Sequence, residues 1–182
     1  MLVSDYLEPV FNIEQYAQIM QIVEEFLRKE KFDSIAFRGA SGSAVAFPLA
    51  LHMKKEMLHV RKSGGHSHAS IEGQTNIKSY VVIDDFVETG DTLNIIKDNI
   101  SKWYMKALHN EPVCKAVFLY NESCSGIVLP KIDKIFPKAT IYALEEDRKI
   151  YRLYIHPANN RCDYKKYCIT FTDGEMQCMM ER

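Results

Sequence analysis

Apolar residues recur at Ile13, Tyr16, Ala17, Met20, Val23 and Leu27, the stripe of one helix face, with Gln, Glu and Lys on the other side. Asn12, with Gln15 three residues later, supplies a capping box for its start. Beyond this helix the period shortens. Ser34 to Arg38 reads as a strand, Gly39 to Gly42 as a turn, and Ser43 to about Lys54 as an apolar helix in which Pro48 is a candidate kink. Met57 to Arg61 reads as a second strand. Residues 62 to 78 are polar, carry Gly64, Gly65 and Gly73, and show little periodicity, which predicts a long loop. A strand over 79–84, a helix over about 91–107 and strands over 114–120 and 140–144 complete the alternation. Strands separated by helices imply right-handed crossovers, hence an α/β fold with a doubly wound parallel sheet of about five strands.

The stretch from Tyr80 to Leu93, YVVIDDFVETGDTL, carries the most chemistry. Its apolar start is a strand buried on both faces, and it runs directly into two carboxylates and a glycine-containing turn that opens a helix. Thr89, Gly90 and Thr92 supply what a terminal phosphate needs: a backbone free to curl, inward amides, hydroxyl donors and the positive end of a helix dipole. Asp84 and Asp85 cannot serve a phosphate. They suit a ribose, whose vicinal hydroxyls donate hydrogen bonds, or a Mg2+ accompanying a polyphosphate, held directly or through water. The implied ligand is a sugar phosphate. Asp91 would repel that phosphate if it pointed inward, so it is expected to face solvent.

Two acidic residues, three spacers, Thr-Gly, one spacer and Thr, placed after an apolar strand, resemble the phosphoribosyl-pyrophosphate (PRPP) signature of the type I phosphoribosyltransferases. The resemblance implies that Asp84 and Asp85 hold the ribose 2- and 3-hydroxyls while Glu88, Thr89, Gly90, Asp91 and Thr92 wrap the 5-phosphate, with Val87 also among the PRPP-binding residues. Two further segments fit the same family. Arg38, Gly39, Ala40 and Ser41 form a second strand-to-helix turn that resembles the pyrophosphate loop. The basic strand end His59-Val60-Arg61-Lys62 resembles the point from which the family's flexible loop departs, and Lys62 would reach the pyrophosphate.

The loop from Ser63 to Lys78 is longer than a connector requires, and loops of that length often act as lids. Displacement of pyrophosphate at the ribose C1 passes through an oxocarbenium-like state that stray water would hydrolyse, so a lid has a purpose here. His66 and His68 would then be donors to the departing pyrophosphate, against the alternative that they are solvent-exposed. Glu88 aligns with a carboxylate that, in members acting on 6-oxopurines, takes a proton near N7; it can equally be a helix-start residue. This leans the acceptor toward a purine. A variable hood is expected from residues 1–11 and 145–182 around a core of about 12–144, in one domain. The tail holds Tyr151, Tyr154, Tyr164 and Tyr167 and a predicted hairpin over Tyr167–Phe171 and Glu175–Met180.

Composition narrows the class without naming it. At 182 residues with 47% apolar and 26% charged residues, one compact domain is expected. A formal net charge of −1 offers no global attraction to nucleic acid or to an anionic membrane. No leader-like or membrane-spanning run is evident, and five cysteines, an odd number without paired knuckle spacing, fit reduced thiols of a cytoplasmic protein. His156, Cys162, Cys168 and Cys178 lack the spacing of a structural zinc site. The family resemblance implies a Mg2+-dependent phosphoribosyltransferase using PRPP and a nucleobase. The alternative is a non-catalytic PRPP- or nucleotide-binding module of the same fold, and a homodimer is left open.

Overall fold

The computed structural model describes residues 7–62, 69–74, 76–107, 110–121, 128–144, 150–156, 166–170 and 176–180. His66, His68, the 172–174 turn and the remaining parts of the two termini, all given roles from sequence, lie outside the described residues. In chain order the elements are α1 (Glu8–Phe11), α2 (Ile13–Leu27), β1 (Ser34–Arg38), α3 (Gly39–Met53), β2 (Glu56–Val60), β3 (Ile71–Gly73) and β4 (Ser79–Asp84). There follow α4 (Asp91–Lys106), β5 (Val113–Leu119), α5 (Val128–Ile135), β6 (Thr140–Leu144), β7 (Ile150–His156), β8 (Lys166–Thr170) and β9 (Met176–Met180).

One sheet joins the strands in the order β3-β2-β1-β4-β5-β6-β7-β8-β9. Its centre, β2-β1-β4-β5-β6, is parallel, which matches the expected five strands. Antiparallel strands are added at both edges: β3 on β2, and β7, β8 and β9 beyond β6. The expected tail hairpin is present as the β8–β9 pair.

Strand β4 shows why the sheet is covered on both sides. Tyr80 and Val82 enter the core under α4 and α5, beside Leu93, Ile96, Ile132 and Ile135. Val81 and Ile83 enter the other core with Val23, Leu27, Val45 and Leu49 of α2 and α3. Side chains alternate across a strand, so a run with no polar position requires an apolar layer on each face. Its start is anchored by Asp33, whose carboxylate accepts the backbone N–H groups of Lys78 (2.8 Å) and Ser79 (2.9 Å).

Four expectations are corrected. Gly39 to Gly42 is the opening of α3, which continues through Pro48, and not a separate turn. The 62–78 stretch contains β3, paired with β2 through Leu58↔Gly73 and Val60↔Ile71. Helix α5 and strand β7 were not anticipated. The buried face of α2 is Ile19, Val23 and Leu27, while Ile13 is 76% exposed. The Asn12 cap is present, with its side chain accepting from the Glu14 and Gln15 amides at 3.1 and 3.2 Å. Among the described residues no helix is long and apolar enough to cross a membrane.

The topology fixes where a ligand can lie. From β1 the chain crosses through α3 to β2 on one side, whereas β4, on the other side of β1, leads through α4 toward β5. Strand order therefore reverses between β1 and β4. At such a switch point the helices leave on opposite faces and the carboxyl ends of the two strands are left open as a crevice.

Candidate active site

The crevice between the ends of β1 and β4 is a polar cleft of about 260 Å³. The β1–β4 register pairs Ser34 with Tyr80 and Ala36 with Val82, and its continuation sets Arg38 level with Asp84. One wall is Arg38, Gly39, Ser41 and Lys62; the floor is Asp84 and Asp85; the other wall runs from Phe86 to Leu93. The cleft therefore unites every described residue assigned to the site from sequence except Ala40, which is exposed and lies outside the lining.

Gly39 has φ +74°, a left-handed conformation that favours glycine, and a Cβ there would stand 3.1 Å from Lys62 Cε and 3.5 Å from its Nζ. The lysine stem thus crosses the bare backbone of Gly39 and brings its ammonium to the first turn of α3. Arg38 adds a guanidinium whose Nε is buried with no hydrogen-bond partner, a donor that a ligand anion would satisfy. This wall presents two cations and a helix start.

On the floor, Asp84 and Asp85 are 3% and 8% exposed. Burial, and then the neighbouring Asp85 carboxylate, push the Asp84 carboxyl up to about 8. Burial therefore disfavours two charges on the free pair, and ligand hydroxyls or a cation would favour its ionised form. Among the described residues no group of three or more His, Cys, Asp or Glu side chains could hold a metal. Two carboxylates fit a Mg2+ that keeps waters and substrate oxygens, and do not form a protein cage.

The far wall turns at Gly90, buried at φ +86°, whose carbonyl accepts the Asn94 N–H at 2.9 Å as α4 begins. Thr89 Oγ1 accepts the Asp91 N–H at 3.2 Å, so this hydroxyl shapes the turn as well as offering a donor. Asp91 is exposed yet belongs to the cleft lining, and Thr92 is half-buried. The result is a helix N-terminus preceded by a curled backbone, an arrangement suited to a terminal phosphate.

Solved structures of similar architecture include phosphoribosyltransferases. Orotate phosphoribosyltransferase from Aeropyrum pernix superposes with a TM-score of 0.58 at 17% identity, over 74% of this chain and 72% of that one. Adenine phosphoribosyltransferase from Thermoanaerobacter pseudethanolicus gives 0.53 at 18% identity, over 75% of this chain and 83% of that one. The Mycobacterium tuberculosis orotate enzyme in complex with PRPP gives 0.53 at 16%, over 76% and 78%. The chain has the type I phosphoribosyltransferase fold. No protein-family model matches it, and no curated protein matches it by sequence.

Within the phosphoribosyltransferase fold of this chain, two residues that sequence did not single out hold the site together. Tyr120 follows β5. Its backbone N–H donates to the Asp84 carbonyl at 3.2 Å and its hydroxyl to the Ser41 carbonyl at 3.0 Å, so it ties the floor to the cationic wall. Burial, then Asp85 and Asp84, push its pKa up, which keeps the hydroxyl a neutral donor. Lys131 on α5 donates to the Glu88 carbonyl at 2.9 Å. Tyr120 closed a predicted strand at its carboxyl end, where ligand sites gather, and that was its signal. Lys131 had none, because α5 was not predicted. Phe86 and Leu93 complete the lining.

Proposed function

We propose that the chain is a Mg2+-dependent phosphoribosyltransferase that moves ribose 5-phosphate from PRPP to a nucleobase, with a lean toward a purine. The observation that carries this reading is the order of groups in one cleft: two cations, then an acid pair, then a phosphate cradle. PRPP has the same order of partners, with pyrophosphate, ribose hydroxyls and 5-phosphate in sequence. The fold shared with phosphoribosyltransferases supports it.

In this reading Arg38, Lys62 and the first turn of α3 bind the pyrophosphate. Asp84 and Asp85 orient the ribose by accepting from its hydroxyls, and Val87 to Thr92 hold the 5-phosphate. Asp84 and Asp85 would hold a Mg2+, directly or through water, which when bound would supply charge compensation for the polyphosphate. A base nitrogen attacks C1, the bond from C1 to the pyrophosphate oxygen breaks, and that oxygen leaves with the electron pair. The proton lost by the base goes to Glu88, which is exposed on the cleft wall. The loop histidines His66 and His68 are assigned as donors to the departing pyrophosphate.

The test is incubation with Mg2+, PRPP and a panel of purine and pyrimidine bases, with pyrophosphate release as readout. Release with at least one base, a 6-oxopurine foremost, is expected. Binding of PRPP without release for any base would identify a binding module of the same fold.

A further inference from the structure

Helix α5 does not line the cleft, yet it touches the phosphate cradle at two consecutive turns of its own length. Lys131 Nζ donates to the Glu88 carbonyl at 2.9 Å. One turn later, Ile135 Cδ1 lies 3.1 Å from where a Cβ on Gly90 would stand. The helix is itself held in place from α4, whose Lys97 Nζ donates to the Ile135 carbonyl at 2.6 Å.

We infer that Lys131 is a positioning residue for the 5-phosphate cradle, acting through the Glu88–Thr89 peptide. The inference rests on the phosphoribosyltransferase reading of the cleft. Among the described residues there are no cis peptides. In a trans peptide the carbonyl and the N–H that follows it point in opposite directions. Lys131 draws the Glu88 carbonyl toward α5, away from the cleft, and so turns the Thr89 N–H toward the ligand side. Electrostatics add a second reason. Asp84, Asp85, Glu88 and Asp91 all line the cleft, while its cations, Arg38 and Lys62, stand on the opposite wall. The Lys131 ammonium offsets that negative charge beside the 5-phosphate, and an ammonium has three donors, of which this bond uses one.

Calorimetric titration with ribose 5-phosphate and, separately, inorganic pyrophosphate tests this in wild type, Lys131→Met and Lys131→Arg. The Met variant should bind ribose 5-phosphate about tenfold more weakly, as for loss of a charge-assisted hydrogen bond, with pyrophosphate binding unchanged. The Arg variant should recover most of that loss. If the Met variant fails to fold by circular dichroism, Lys131→Gln carries the same comparison. Unchanged ribose 5-phosphate affinity in a folded variant overturns the inference, and so does an equal loss for both ligands. A wild type that binds neither ribose 5-phosphate nor PRPP overturns the underlying reading and this inference with it; a wild type that binds both while the variants do not differ overturns the inference alone.

Discussion

The Asp84 carboxyl accepts the backbone N–H of Asp85 at 3.1 Å, which folds the acid pair together at the buried end of β4. Burial and the adjacent carboxylate push Asp84 up to about 8, so below that pH the free pair keeps a proton. Ribose hydroxyls and Mg2+ favour the ionised pair. Affinity for PRPP with Mg2+ should therefore rise with pH up to about 8, by at most about tenfold per unit, and then level off. Titration of wild type against Asp84→Asn isolates this group, since ionisation of the ligand is common to both. Equal slopes for the two proteins would contradict it.

The same shift predicts a stability effect of definite sign. The folded pKa lies above the ordinary value of 3.8, so the folded state holds the proton more tightly between those limits. That contribution is fully present below about pH 4 and is lost as pH rises through about 8. Asp84→Asn should melt above wild type at pH 8.5, with the difference shrinking or reversing at pH 4. Thermal melts at both values check it, and a variant less stable than wild type at pH 8.5 would count against the buried acid pair.

Gly90 combines φ +86° with a Cβ position 3.1 Å from Ile135 Cδ1. Gly90→Ala should cost about 1 kcal/mol or more of stability from the left-handed backbone alone, and Gly90→Val more. Both should weaken ribose 5-phosphate binding. Thr92→Ala removes one hydroxyl donor to an anion, worth about 1.5 to 3 kcal/mol, while Thr89→Ala also removes the acceptor for the Asp91 amide. Full ribose 5-phosphate affinity in the Gly90→Val protein would place the 5-phosphate elsewhere.

Glu88→Gln leaves the backbone carbonyl bonded to Lys131 and changes only the side chain. If Glu88 takes the proton of a 6-oxopurine, kcat should fall at least about a hundredfold while PRPP binding holds. Lys62→Ala should lower kcat and pyrophosphate affinity together. Steady-state kinetics with calorimetry separate the two effects. Unchanged kcat in Glu88→Gln would make Glu88 a helix-start residue and remove the lean toward purines.

The acid pair and the cradle were legible because they are contiguous in sequence and follow a strand with no polar interruption. Their partnership with Arg38 and Lys62 was legible only as a resemblance; the β1–β4 switch point supplies its physical cause. Gly39 and Gly42 looked like a turn, since glycines punctuate loops. Gly39 does take a left-handed φ, but Gly42 is small for another reason: a Cβ there would stand 3.1 Å from both the Ile83 carbonyl and Phe37 Cβ, where α3 rests on the sheet. Helix α5 was hidden by its eight residues and its internal Pro130. Strand β3 has three residues, too few for alternation to show. The stripe on α2 was misplaced by the exposure of Ile13, which follows the short α1 and its Asn12 cap.

Calorimetric titration of PRPP with Mg2+ into wild type and the Asp84→Asn/Asp85→Asn double variant tests the central claim, that this cleft holds PRPP by its ribose. Asn keeps the size of each side chain and removes the charge that strengthens hydrogen bonds from the ribose hydroxyls. The account predicts saturable binding by wild type and a loss of at least about tenfold, or about 1.4 kcal/mol, in the double variant with the fold intact. Equal affinity for the two proteins would contradict it.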